Sequence, residues 1–171
     1  VTDMSYMFSN LSKVSSLDVS KFNTINVTNM AHMFSECYKL EHIYVGDGWT
    51  TENVTSSSIM FSSSSLLPNY DANYVDKTKA YAGGDGLGYL SRIITFTIND
   101  TEYTALDGMT YGEWVYSSYG SFGYQSTNST SCTYFMGANG MFKRNGEYVM
   151  CSDIINDGDE LVSNSSGFEG Q

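Results

Sequence analysis

One phrase of eight residues occurs three times in the first part of the chain and constrains how that part can fold. Residues 1–8 read VTDMSYMF, residues 27–34 read VTNMAHMF and residues 54–61 read VTSSSIMF, so the copies follow one another by 26 and then 27 residues. A fixed period of this length is typical of a solenoid, in which one supersecondary unit is copied and stacked. We therefore interpret residues 1–90 as a repeat region and residues 91–171 as a second domain.

Each copy contains two apolar patterns that predict its local structure. In the middle copy, Met30, Met33 and Phe34 have the spacing of one helical face. Further along, Ile43 and Val45 alternate with polar residues, as in a short strand. We expect a short helix and a short strand in each copy, with the strands of successive copies side by side. The middle copy also carries one extra residue, at the sequence GDG of residues 46–48.

The full repeat pattern, V-T-x-M-x-x-M-F-S-x-C-x-x-L-x-x-L-x-V-S-x-F-x-T-x-x-V, resembles the BspA-like leucine-rich repeat of bacterial surface proteins, also classed as a Mycoplasma-type repeat of unknown function. The first two copies match it closely, and Cys37 occupies the cysteine of the pattern. The third copy drifts, as expected of a terminating repeat. The resemblance implies an α/β leucine-rich-repeat solenoid of about three repeats, and an extracellular or surface-displayed binding scaffold. We expect the chain to be located outside the cell, on a cell surface or on a virion.

The outward strand positions of such a solenoid would form a polar face suited to a host-cell surface protein or a glycan. The candidate binding residues on this face are Ser16, Asp18, His42, Tyr44, Asn69 and Asp71. The alternative interpretation is that they are solvated strand residues without a ligand.

The first half of the second domain carries local signals for a hairpin and a helix. A β-branched run at residues 93–98 leads into an Asn-Asp turn and a returning strand at residues 102–105. Thr110 and Glu113 form a capping box that opens a short helix, from Tyr111 to about Ser118 and burying Trp114.

The second half of this domain predicts further strands. They fall at residues 132–136, 140–143, 147–151 and 159–163, and a strong turn signal, RNG at residues 144–146, joins the middle two. The order indicates a small α+β domain, with a β-grasp arrangement as one option. The phrase at residues 96–115 also resembles a module found at the ends of gut-bacterial surface proteins and prophage tail proteins. Three tyrosines, Tyr116, Tyr119 and Tyr124, are candidates for a recognition surface, or else part of the core of this domain.

Charge and composition exclude several classes of function. The net charge of −11 opposes binding to nucleic acid and to anionic membranes, and no apolar run is long enough to predict membrane insertion. The chain has two histidines, both inside repeat motifs, and no recognisable pair of acids, so we expect no enzyme, no metal site and no cofactor. The glycines at residues 83–88 predict a linker rather than a phosphate loop, because neither flank supplies the strand and helix such a loop needs.

Three cysteines are too few for a disulfide framework, and their spacing fits no zinc pattern. Cys37 is expected to be a small buried hydrophobic residue. A disulfide between Cys132 and Cys151 is conceivable, since both fall on strands expected to be close.

The sequence therefore favours a non-catalytic attachment or receptor-binding module of a bacterial adhesin or a phage tail. A structural spacer, virion decoration or oligomerisation protein is the alternative, and a fragment of a glycan-processing enzyme is the third hypothesis. Because Val1 lies inside a repeat, we also expect upstream repeats or a partner chain to cover that end, and a homo-oligomer is one form of such a partner.

Overall fold

The computed structural model describes residues 1–80, 88–118 and 141–163. Its chain divides into two units, Val1–Ile93 and Ile94–Gln171. Strand β3 (Ser91–Ile98) contributes its first residues to the first unit and its remaining residues to the second. The predicted linker at residues 83–88 lies outside the described residues except for Gly88.

In the first unit, three parallel strands lie side by side. Strand β1 (Ser16–Asp18) pairs with β2 (His42–Val45), with Leu17 opposite Ile43. The other side of β2 pairs with the start of β3, where Tyr44 faces Ser91. The third copy was expected to supply this third strand, and that prediction is wrong: residues 69, 72 and 73 lie in turns, and residues 70 and 71 belong to no regular element. Pro68 has no N–H to donate to a ladder, and Asn69 has a left-handed φ of 59°, so neither suits a strand.

The repeated phrases stack on one another through backbone hydrogen bonds. Alternate N–H groups of the middle copy, at Met30, His32, Phe34 and Glu36, donate to carbonyls of the third copy over 2.7–3.0 Å. The first copy donates to the middle copy in the same way, for example from the Phe8 N–H to the Met33 carbonyl at 2.9 Å.

This stacking replaces the helix that was predicted in each copy, and that prediction is wrong. Residues 31–36 form consecutive turns, in which His32 and Glu36 have left-handed φ values of 58° and 57°. An α-helix would direct every N–H to a carbonyl four residues earlier. Here half of those N–H groups are used between copies, so the apolar spacing of a helical face marks a stacked turn instead.

The core of the first unit is a column of aromatic rings, one from each copy. Phe34 lies between Phe8 and Phe61, with ring centroids 5.7 and 5.6 Å apart and planes within 13° of parallel. Tyr89 closes the column edge-on against Phe61 at 5.1 Å. Phe34, Phe61 and Tyr89 are fully buried. Phe34 has a stacked neighbour on each face, and Phe61 has one stacked neighbour and one at a steep angle.

The described residues of the second unit form a five-stranded sheet and one helix. Its elements are β3, β4 (Thr101–Leu106), α1 (Tyr111–Ser118), β5 (Phe142–Arg144), β6 (Glu147–Tyr148) and β7 (Glu160–Ser163). The order across the sheet is β4-β3-β7-β5-β6, with β3 parallel to β7 and β7 antiparallel to β5.

The local signals of this unit are confirmed. The turn between β3 and β4 has left-handed φ at both Asn99 and Asp100, and the turn between β5 and β6 has it at Asn145 and Gly146, as two-residue hairpins require. Thr110 Oγ1 accepts from the Glu113 N–H at 3.1 Å, and Glu113 Oε1 accepts from the Thr110 N–H at 3.2 Å, which is the predicted capping box. The strand expected at residues 132–136 lies outside the described residues.

Aromatic side chains also form the core of the second unit, but in edge-to-face pairs. Trp114 is 2% exposed, and its ring centroid lies 4.9 Å from that of Phe96 with the two ring planes at 81°. Beside this pair, the buried Tyr111 hydroxyl donates to Asp159 at 2.8 Å, and Arg144 Nη1 donates to the same carboxylate at 2.6 Å. Burial, together with that hydrogen bond, raises the pKa of Tyr111.

The described cysteines of the two units differ in chemical state, because Cys37 is a free thiol and Cys151 is disulfide-bonded. Cys37 is a free, fully buried thiol, and its Sγ donates to the Phe8 carbonyl at 3.1 Å. Burial raises its pKa, so the expected role as a small buried residue is confirmed. Cys151 is disulfide-bonded, and Cys132 lies outside the described residues.

Candidate functional site

The predicted polar strand face is present on the first two copies. Ser16 faces His42 and Asp18 faces Tyr44 in the parallel register, and the His42 and Tyr44 rings stack at 5.6 Å. The Asp18 carboxylate accepts from the Ser20 N–H at 2.9 Å, and its hydrogen bonds to Ser20 lower its pKa. Nδ1 of His42 is buried and has no hydrogen-bond partner among the described residues.

The remaining candidates do not extend this face. Asn69 lies in a turn and Asp71 lies outside any strand. The Asp71 carboxylate accepts from the Asn73 N–H at 3.0 Å, which lowers its pKa. Tyr116 lies on α1, but its side chain is outside the described part of the structure, as are Tyr119 and Tyr124 altogether.

A groove of about 370 Å³ lies instead beside the strand face of the first unit. We call it the insertion groove, because it is lined by residues 45–47 and 49–51, which surround the extra residue of the middle copy, together with Ala80 and Arg92. Its volume falls at the lower end of the roughly 300–1,000 Å³ typical of ligand pockets.

Two glycines allow the loop of the insertion groove to lie directly against the first copy. A Cβ added to Gly46 would lie 2.3 Å from the Ser20 carbonyl oxygen, and one added to Gly48 would lie 2.5 Å from that of Phe22. Such distances exclude any side chain at either position without a shift of the backbone. The sequence GDG therefore fixes where Asp47 is presented.

The buried side chain of Thr24 holds the other end of this loop. The Thr24 N–H donates to the Gly48 carbonyl at 2.9 Å, and Thr24 Oγ1 both donates to the Thr50 carbonyl and accepts from the Thr50 N–H, each at 2.7 Å. Thr24 is 1% exposed. The wall of the groove is therefore held by hydrogen bonds from the backbone and the side chain of Thr24.

Three side chains give the insertion groove its chemistry. Arg92 Nη2 donates to Asp47 Oδ1 at 2.5 Å, with the two side chains 34% and 76% exposed. The Trp49 Nε1–H is used internally, on the Ala80 carbonyl at 3.4 Å. The indole thus offers carbon surface to the groove, while the ion pair offers donors and acceptors beside it.

Sequence reasoning noted the extra residue at 46–48 but did not connect it with a site. An extra residue in one copy of a repeat can indicate a functional site, because the stacking of the copies does not require it. Arg92 carried no such signal: it follows the repeats by many residues, and only the pairing of Val45 with Arg92 in β2 and β3 brings it to the loop.

Within residues 1–80, 88–118 and 141–163, no group of three His, Cys, Asp or Glu side chains is placed to hold a metal ion. Asp153, Asp157 and Asp159, which superficially resemble a calcium loop, accept hydrogen bonds from Met150, Thr95 and Tyr111 respectively.

None of the described helices is long and apolar enough to span a bilayer.

Comparison with known proteins adds a family for the repeat region. Residues 1–81 match the family described as Mycoplasma protein of unknown function, DUF285. No curated protein and no solved structure matches the chain. The match covers all three copies of the repeated phrase and ends near the last turn of the stack. Residues 1–81 are therefore similar to the DUF285 family, and this match supports the family-level resemblance seen in the sequence.

Proposed function

We propose that the chain is a non-catalytic attachment module displayed on a cell surface or a virion, as part of a bacterial adhesin or a phage receptor-binding protein. The observation that carries this proposal is the insertion groove. It combines carbon surface from Trp49 with an exposed ion pair on a loop that is already held in place. Recognition sites of proteins are built from such rigid aromatic anchors beside polar groups.

The fold supports a scaffold of this kind. We propose that the first unit is a short leucine-rich-repeat solenoid, because the same hydrogen bonds and the same aromatic column join each copy to the next. Stacked repeats present residues at fixed spacing, so one irregular copy can carry a site without loss of the stack.

For the second unit we propose a β-grasp arrangement. The first and last of its described strands, β3 and β7, are parallel neighbours in the middle of the sheet, and helix α1 follows the first hairpin. Its relation to the modules of surface and prophage tail proteins is likewise a proposal, supported by its sequence resemblance. A structural spacer is the second candidate function, favoured by the large share of the first unit that is devoted to stacking.

Binding of the purified 171-residue chain to arrays of glycans and of host-cell surface proteins tests the attachment proposal. We expect specific binding on at least one array. Silence on both arrays, together with a stable multimer in solution, would instead support the spacer or oligomerisation role. Turnover of any arrayed glycan would contradict the non-catalytic assignment.

A further inference from the structure

We propose that the insertion groove binds one or two uncharged pyranose rings of a glycan. The inference rests on the proposed attachment function and names its ligand class and its site. Three features of the groove carry it: the indole of Trp49, the ion pair between Asp47 and Arg92, and the fixed loop that presents them.

The indole of Trp49 can stack against a sugar ring. One face of a pyranose ring is a patch of C–H groups with partial positive charge, which the negative face of an indole attracts. The Trp49 Nε1–H is already bonded to the Ala80 carbonyl, and the ring packs at a tilt of 48° near Phe34. Both contacts fix the orientation of the indole, so a sugar ring would meet a platform that needs no reordering.

The ion pair of Asp47 and Arg92 can bind sugar hydroxyls. Each sugar hydroxyl is both a donor and an acceptor, and neighbouring hydroxyls fit a planar group that donates and a planar group that accepts. Arg92 supplies the donors and Asp47 the acceptors, side by side at 2.5 Å. Because Asp47 is mostly exposed, it retains oxygen surface for a ligand.

The charges around the insertion groove favour uncharged sugars. Asp47 balances the charge of Arg92, and the chain as a whole carries −11. A carboxylated or sulfated glycan would meet a neutral pair in a negative field, which disfavours its approach.

A peptide is less suited to the insertion groove than a sugar ring. Peptides commonly bind by adding a strand to an open sheet edge. The strand beside the groove, β2, is paired on both sides, with β1 and with β3. Strand β2 therefore has no open edge, and the groove favours contact with a sugar ring over main-chain pairing with a peptide.

The test uses the two tryptophans of the chain as internal probes. Trp49 lines the groove, whereas Trp114 is buried in the second unit, so their indole N–H signals in a ¹⁵N–¹H spectrum report on separate places. Lactose and N,N′-diacetylchitobiose are titrated at millimolar concentration, with sialyllactose and a mixed peptide library for comparison. We expect a neutral sugar to shift the Trp49 signal in a saturable manner and to leave the Trp114 signal in place.

Variants then locate the site. Asp47→Asn and Arg92→Gln each remove a charged partner of the hydroxyls and should weaken neutral-sugar binding by at least about tenfold. Glu52→Gln is the matched control: it removes the same charge from an exposed residue that does not line the groove, and it should bind as the parent does. The dispersion of the amide spectrum shows that each variant is folded.

The outcomes separate the inference from the proposed function. Binding that is lost with Asp18→Asn but kept with Asp47→Asn would move the site to the strand face and overturn the inference while the attachment function stands. Binding to sialyllactose or peptide alone would do the same. Binding on the arrays without any shift of the Trp49 signal also overturns the glycan inference. If no probe binds and both arrays show no binding, the glycan inference and the attachment function are both overturned.

Discussion

Residues with a left-handed backbone occur in both units, but the residue types differ. Among the described residues of the second unit they are Asn99, Asp100 and Asn145, together with glycines, which tolerate this conformation. In the first unit they include Tyr6, His32 and Ile59 at equivalent positions of the three copies. A β-branched residue in this region is strained, so something other than local preference must hold it there.

The hydrogen bonds explain the difference. In the second unit the turns and the helix cap are closed by neighbours a few residues away, as Thr110 and Glu113 show. In the first unit each turn is fixed by the copy stacked against it, as with the His32 N–H and the Ser58 carbonyl at 3.0 Å. Stacked copies therefore determine backbone conformations that their own residues would not choose.

The largest expected effect is on the aromatic column that joins the copies. Phe34→Ala should destabilise the first unit by about 3–5 kcal/mol, because it leaves a cavity between two stacked rings. Urea unfolding followed by Trp49 fluorescence, in a Trp114→Phe background, measures it.

Phe8→Ala is the control for this substitution. Phe8 is half-buried and stacks on one ring of the column only, so its loss should cost less. A cost below about 1 kcal/mol for Phe34→Ala would show that the column does not hold the copies together.

Reduction should act on the second unit alone. Loss of the Cys151 disulfide should destabilise this unit by about 2–4 kcal/mol, since a disulfide restricts the unfolded chain. The first unit, whose Cys37 is a free thiol, should unfold at the same urea concentration with and without dithiothreitol. Unfolded, unreduced protein should titrate one thiol; a count of three would contradict the disulfide.

The carboxylate of Asp159 should matter only to the second unit. Asp159→Ala leaves the Tyr111 hydroxyl and Arg144 without their shared acceptor, at a cost of roughly 1.5–3 kcal/mol. Trp114 fluorescence in a Trp49→Phe background reports it. Tyr111→Phe, which removes a single donor, should cost less, and an equal loss in both variants would mean that the hydroxyl dominates the cluster.

The smallest expected effect tests the strain in the repeats. Ile59 has a φ of 57° and is 44% exposed, so Ile59→Asn should stabilise the first unit by up to about 1 kcal/mol through relief of the left-handed conformation. Ile59→Val keeps the β-branch and should give no gain. Equal stabilities of all three proteins in thermal unfolding would show that the stacked copies absorb the strain without cost.

The sequence alone determined the features that depend on neighbours along the chain. The period of 26 and 27 residues located the copies and their buried columns. The Asn-Asp and Asn-Gly turns and the capping box located the hairpins and the helix of the second unit. Each of these signals is complete within a few residues, or within one repeat, and so can be recognised before anything is folded.

Only the tertiary structure decided the backbone conformation of the copies and which residues line the insertion groove. Apolar spacing in the repeats fits a helix and a stacked turn equally well, and hydrogen bonds to the next copy select the turn. The third strand comes from β3 because Pro68 and Asn69 prevent the third copy from supplying it. Arg92 reaches Asp47, 45 residues earlier, through strand pairing. Contacts of this kind depend on the free energy of the whole fold, so no local pattern encodes them.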